Sequence, residues 1–180
     1  MNTKRIVFSG SGGQGVITAS IILAEAAVIH EGMNAVQTQT YGPEARGGAT
    51  RADVVISNKS IHYPKVINPH ILVCLTQESY NKFSDIVRPG GLLVTDTHYV
   101  KQERVVDARQ VQLGMYEAVM EEIGRPIVLN ICMLGALIGL TQVVKAESIL
   151  KALEAKVDPK FMAFNEKALE LGLRLSNHHK

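Results

Sequence analysis

The sequence contains no tryptophan, and aromatic residues of every kind make up only 5% of its 180 positions. That scarcity removes the stacking platforms on which single-stranded nucleic acids are bound. Charge of one sign is equally lacking, since 19 Lys and Arg stand against 17 Asp and Glu for a formal charge of +2. With the basic residues scattered among acidic ones, neither nucleic acid nor a membrane surface is expected as a partner. Cysteine is limited to Cys74 and Cys132, each inside an apolar run and far apart in sequence. A disulfide scaffold and a CxxC metal site are thereby excluded, and both residues are expected as buried thiols.

Long hydrophobic runs are missing too. The most apolar segment, residues 127–140, falls short of the roughly 18 to 20 residues of a membrane span and is broken by Gly135 and Gly139, so it reads as a buried helix. The first residues enter a short strand without the apolar segment and cleavage site of a signal peptide, which points to the cytoplasm. The six histidines are dispersed, and none stands at metal-ligand spacing from a carboxylate. No catalytic residue and no metal site is expected. His98 beside Asp96 is the least dismissible pair, although Asp96-Thr97-His98 also reads as turn chemistry.

What is present is the patterning of one α/β domain spanning residues 1–180. Residues 5–9 form a β-branched and aromatic strand that runs directly into Gly10-Ser11-Gly12-Gly13-Gln14-Gly15, a turn no strand can extend. Residues 16–30 are helix formers up to a Gly32 stop, and residues 34–41 read as a strand. A proline- and glycine-rich loop through Gly48 follows, then an antiparallel hairpin of residues 49–56 and 60–63 around Ser57-Asn58-Lys59. Strands over 71–75 and 91–95 flank a helix over 78–87, with a short strand over 104–106. Helices over 114–123, 130–140, 146–157 and 159–176 complete the chain, the last opened by Asp158-Pro159. Strands separated by helices imply parallel pairing. The expected architecture is a Rossmann-like three-layer domain with a mostly parallel sheet, an inserted hairpin and a helical C-terminal part.

Gly10, Gly12 and Gly15 satisfy G-x-G-x-x-G between a strand and a helix, where a phosphate can approach bare backbone and the helix N-terminus. A dinucleotide site would also require an acidic residue about 20 positions on to hold the ribose, and the second strand carries Gln37 and Gln39 instead. That disfavours a free-standing nucleotide-binding oxidoreductase. Simple strand-to-helix packing by the glycines stays open, as does a merely structural role for Gln14. Gly12-Gly13-Gln14 also spells the tripeptide of peptide-chain release factors, but here it lies between a core strand and an apolar helix in a chain with no basic ribosome-binding segment. In the second loop, Glu44 and Arg46 stand among backbone-permissive residues. Arg46 is placed to engage a phosphate or carboxylate, or to fix the loop through an ion pair.

These two loops, together with Tyr63-Pro64-Lys65, Arg88-Pro89-Gly90-Gly91 and the stretch from Asn130 to Gly135, resemble the gamma subunit of the 2-oxoacid:ferredoxin oxidoreductases along essentially the whole chain. The family's glycine turn matches residues 10–15, and its YGPEARGG-like segment matches Tyr41 to Gly48. The resemblance is greatest to the 2-oxoglutarate type, with pyruvate and branched-chain 2-oxoacid enzymes as the alternatives. It implies an enzyme that converts a 2-oxoacid and coenzyme A to acyl-CoA and CO2 and reduces ferredoxin. Thiamine diphosphate, magnesium and iron–sulfur clusters would belong to the alpha, beta and delta (ferredoxin-like) partners. This chain would bind no cofactor alone. Its expected contribution is structural, with Gly10, Ser11, Gly12, Gly13, Gln14, Gly15, Glu44, Arg46 and Gly47 as candidate residues for coenzyme A. The apolar helices over 16–30 and 127–140 suggest partner interfaces, and self-association of the isolated chain is expected.

Overall fold

The computed structural model describes residues 3–40 and 48–179. Strand β1 (Lys4–Gly10) enters helix α1 (Val16–Glu25), which continues as one π-helical turn over Ala26–His30. Then come β2 (Asn34–Thr40), β3 (Thr50–Ser57), β4 (Ile71–Cys74), α2 (Gln77–Phe83), β5 (Gly91–Asp96) and β6 (Ala108–Leu113). Helices α3 (Met115–Glu122), α4 (Leu129–Thr141), α5 (Ala146–Glu154) and α6 (Pro159–Ser176) follow. The strands form one sheet in the order β2-β3-β1-β4-β5-β6. β1, β4, β5 and β6 are parallel, and β3 runs against both of its neighbours.

Successive strand residues point to opposite faces. Ile6, Phe8, Val54, Ile56, Val73 and Val94 therefore join the core beneath α1 and α4. Val7, Val55, Leu72, Cys74 and Leu93 pack on the other side with Tyr80 of α2 and Val100. Burial on both faces accounts for the nearly unbroken apolar run of the central strands.

The expected hairpin is corrected. β3 is flanked by β2 on one side and β1 on the other, so residues 60–63 find no free edge beside it and form no strand. β3 pairs antiparallel with both β2, which precedes it in the chain, and β1. Side chains, not a ladder, hold the following loop: the Val66 N–H donates to Asp53 Oδ2 at 3.3 Å, and Arg51 binds the same carboxylate while its Nη2 donates to the Val66 carbonyl. The short strand expected over 104–106 is also displaced, since the sixth strand begins at Ala108. It pairs from there with β5. Asp158 caps α6 as expected, its Oδ1 accepting from the Lys160 N–H at 3.0 Å.

Helix α4 is buried from Leu129 to Gly139 without interruption. A Cβ on Gly135 would collide with the Leu169 carbonyl, and one on Gly172 with the Cys132 carbonyl, so these glycines let the α4 and α6 backbones meet directly. The run that suggested an external interface is thus covered within the chain. Ile127, just before α4, stays 80% exposed, and Val28 and Ile29 stand out at the end of α1. Among the described residues no helix is long and apolar enough to cross a membrane.

Candidate functional site

The glycine turn lies where β1 ends, beside the start of β3. Gly10 is paired with Thr50, and Ser9 Oγ donates to the Thr50 carbonyl at 3.0 Å. The exit of the second sequence motif is thereby brought against the first. Gln14 holds the turn closed: its Oε1 accepts from the Ser11 N–H at 2.8 Å, and its Nε2 donates to the Leu75 carbonyl at 3.0 Å. Both polar ends are engaged inside the protein, so the structure gives Gln14 a fastening role. It does not face the cavity described below.

Gly15 begins α1 with φ +71°, and a Cβ there would stand 2.6 Å from Asn130 Nδ2. Both the backbone conformation and the α4 neighbour demand glycine at this position. Asn130 Nδ2 donates to the Gly15 carbonyl at 3.3 Å, tying the turn to α4. Gly12 differs, with no left-handed φ and nothing within 4 Å of an added Cβ. No side chain caps α1, and its first turn carries no acidic residue, so its leading N–H groups and dipole are available to an anion.

A cavity of about 860 Å³ opens in front of this turn. Ser11, Gly12, Gly13, Gly15 and Thr50 line it together with Arg125 and Asn130. Ile127, Phe161 and Phe164 supply an apolar surface. The Arg125 guanidinium lies 4.4 Å from the Phe164 ring centroid, a cation–π placement, and it forms no ion pair among the described residues. Sequence reasoning did not select Arg125. The signal was the Arg125-Pro126 break just before the most apolar run, but only tertiary packing brings it to the same cavity as residues 11–13.

Of the other sequence candidates, Glu44, Arg46 and Gly47 lie outside the described residues. The chain is described again from Gly48, and the Ala49 N–H donates to Glu78 Oε1 of α2 at 3.2 Å. Asp96 proves to be a helix cap. Fully buried, it accepts the N–H of Tyr116 at 2.8 Å and that of His98 at 2.9 Å. Burial pushes its carboxyl pKa up against the pull of those hydrogen bonds. His98 stacks on Tyr116 with ring centroids 4.2 Å apart.

Among the described residues no group of three or more His, Cys, Asp or Glu side chains could hold a metal ion. Cys74 and Cys132 are buried on opposite faces of the sheet, so they do not fit as joint ligands of a cluster. Burial pushes each thiol up to about 12, leaving about one thiolate in ten thousand at pH 8. Ellman's reagent should therefore leave both thiols untouched over minutes in the native chain and titrate both on unfolding. A fast-reacting native thiol would contradict the packing.

The family model for pyruvate ferredoxin/flavodoxin oxidoreductase matches residues 5–175. The chain is 48% identical to the 2-oxoglutarate synthase subunit KorC of Methanocaldococcus jannaschii over 152 residues, which cover 83% of this chain and 81% of the relative. It is 41% identical to the subunit of the same name from Methanothermobacter thermautotrophicus, over 96% of this chain and 94% of that one. The crystal structure of the keto/oxoacid ferredoxin oxidoreductase gamma subunit from Geobacter sulfurreducens superimposes with a TM-score of 0.87 at 39% identity. That match covers 96% of this chain and 98% of the other.

Proposed function

The chain belongs to the pyruvate ferredoxin/flavodoxin oxidoreductase family, and from that premise we propose that it is the gamma subunit of a 2-oxoglutarate:ferredoxin oxidoreductase. The assembled enzyme converts 2-oxoglutarate and coenzyme A to succinyl-CoA and CO2, and two electrons pass to ferredoxin. The relatives named 2-oxoglutarate synthase subunit support this substrate, since they match over most of both chains. Thiamine diphosphate with its magnesium supplies the chemistry at the 2-oxo carbon, and iron–sulfur clusters carry the electrons. We assign all of them to alpha, beta and delta partners, because the described part of this chain has no ligand set that fits them. The reading places the complex in the cytoplasm.

Within that complex the chain contributes a binding surface for coenzyme A. The observation that carries this is the cavity itself, whose lining brings the backbone of Gly12, Gly13 and Gly15 and the uncapped start of α1 together with Arg125 and an apolar surface. Coenzyme A has the matching parts: phosphates for the turn and the guanidinium, and a largely uncharged body for the apolar surface. Arg46, in the second motif, would add a further cation to the same ligand.

The subunit assignment is tested by affinity purification of the tagged chain from its source. Co-purification of thiamine-enzyme subunits and a small ferredoxin-like protein, with 2-oxoglutarate- and coenzyme A-dependent reduction of ferredoxin, is the expected result. Recovery of the chain without such companions would refute it.

A further inference from the structure

The amino-terminal edge of the sheet, at the opposite end of β1 from the glycine turn, carries a second concavity of about 460 Å³. Lys4 opens β1, His70 immediately precedes β4, Arg88 stands in the turn before β5, and Arg109 lies near the start of β6. Four consecutive parallel strands thus each bring one basic or imidazole side chain to a single bowl. None of Lys4, Arg5, Arg88 or Arg109 belongs to an ion pair among the described residues. Thr141 also lines the bowl, but its hydroxyl is already committed to the Leu137 carbonyl.

His70 shows what the bowl lacks. The backbone N–H of Arg5 donates to its Nδ1 at 3.1 Å, so in the neutral ring Nε2 carries the proton. Yet Nε2 faces Arg88 Nη1 at 2.7 Å, and a guanidinium has only donors to offer. Two N–H groups are aimed at one another with no acceptor between them. Burial, with the charges of Arg88, Lys4 and Arg5, holds the His70 pKa below its usual value. The ring therefore does not relieve the conflict by taking a second proton, which would only add another donor and another charge.

We propose that this bowl is a binding site for an anion of the phosphate class. Arg88 and the Nε2–H of His70 turn toward the same ligand, and Lys4 and Arg109 supply further positive charge. A phosphate group accepts several hydrogen bonds and carries up to two negative charges, so it satisfies both opposed donors and the unpaired cations together. A chloride ion does so far less well, having no directional oxygen acceptors. The site is separate from the cavity at residues 11–15 and does not depend on the function proposed for that cavity.

The probe is inorganic phosphate, added to the full-length chain while the His70 imidazole is followed by NMR and assigned with His70→Gln. Phosphate should shift the His70 resonance saturably and move its pKa upward, whereas chloride at matched ionic strength leaves both in place. Arg88→Gln and Arg109→Gln should each weaken the apparent affinity about tenfold, the scale of one lost charge-assisted hydrogen bond. Lys59→Gln, an exposed position outside the bowl, should not. Equal effects of chloride, or native affinity in both arginine variants, would overturn the proposal. So would a glutamate-rich peptide that saturates the shift where phosphate fails, which would give the bowl to an acidic protein surface instead.

Discussion

Gly172→Ala is expected to destabilise the chain by about 3 kcal/mol or more, at the upper end of the range for overpacked cores. The corresponding drop in Tm is about 6 to 12 °C for a domain of this size. The added methyl would fall onto the Cys132 carbonyl and within 2.6 Å of the Ala136 N atom, and both of these are backbone. No rotamer change can relieve such an overlap. α4 and α6 must separate, and the surface they lose includes Leu129, Cys132, Ala136 and Leu169, all buried in the main core. Gly12→Ala is the control, since nothing lies within 4 Å of its new atom and its φ is not left-handed. It should change stability by no more than about 0.5 kcal/mol. Thermal or denaturant unfolding of the two variants side by side decides the matter, and equal stability would mean that the helices do not pack as described.

In the assembled enzyme, Gly12→Val and Arg125→Gln should each raise the apparent KM for coenzyme A about tenfold or more. The valine side chain enters the cavity from a position where the fold has room for it. The glutamine removes a guanidinium that lines the same cavity as the turn and has no ion pair among the described residues. Arg46→Ala is expected to act in the same direction. Decarboxylation of the 2-oxoacid in the absence of coenzyme A should stay near the native rate, because only binding to the acyl acceptor is removed. Normal assembly with unchanged use of coenzyme A would dismiss the anion-binding reading of the cavity. Loss of assembly would transfer these residues to a subunit contact.

The elements that local chemistry specifies are legible in the order of residues alone. A β-branched run ending at Gly10, the Asp158-Pro159 start of α6 and the Arg88-Pro89-Gly90 turn each depend on a few neighbouring residues. The structure places them where expected, with Gly90 at φ +69° and the Gly91 N–H on the Arg88 carbonyl at 2.8 Å. The burial of both cysteines also follows from their apolar surroundings. The glycine turn is legible as a turn, but its four glycines carry different duties. Gly15 is required by its φ and by Asn130, 115 residues away in the chain, whereas Gly12 is left free to face a ligand.

Strand pairing is decided only in three dimensions. Residues 60–63 have the pattern of a strand, but an edge to pair with is a property of the whole sheet, and β1 and β2 already occupy both sides of β3. The apolar stretch ending in α4 announces that it must be covered, not by what. The answer lies in α6, where small residues recur at the contact and the two backbones can approach. For the same reason neither the sharing of one cavity by Arg125 and the glycine turn nor the meeting of Lys4, His70, Arg88 and Arg109 could be read from residue order. Periodicity and turn chemistry act over a few positions along the chain, whereas a site assembled from several strands exists only once packing has closed the distances between them.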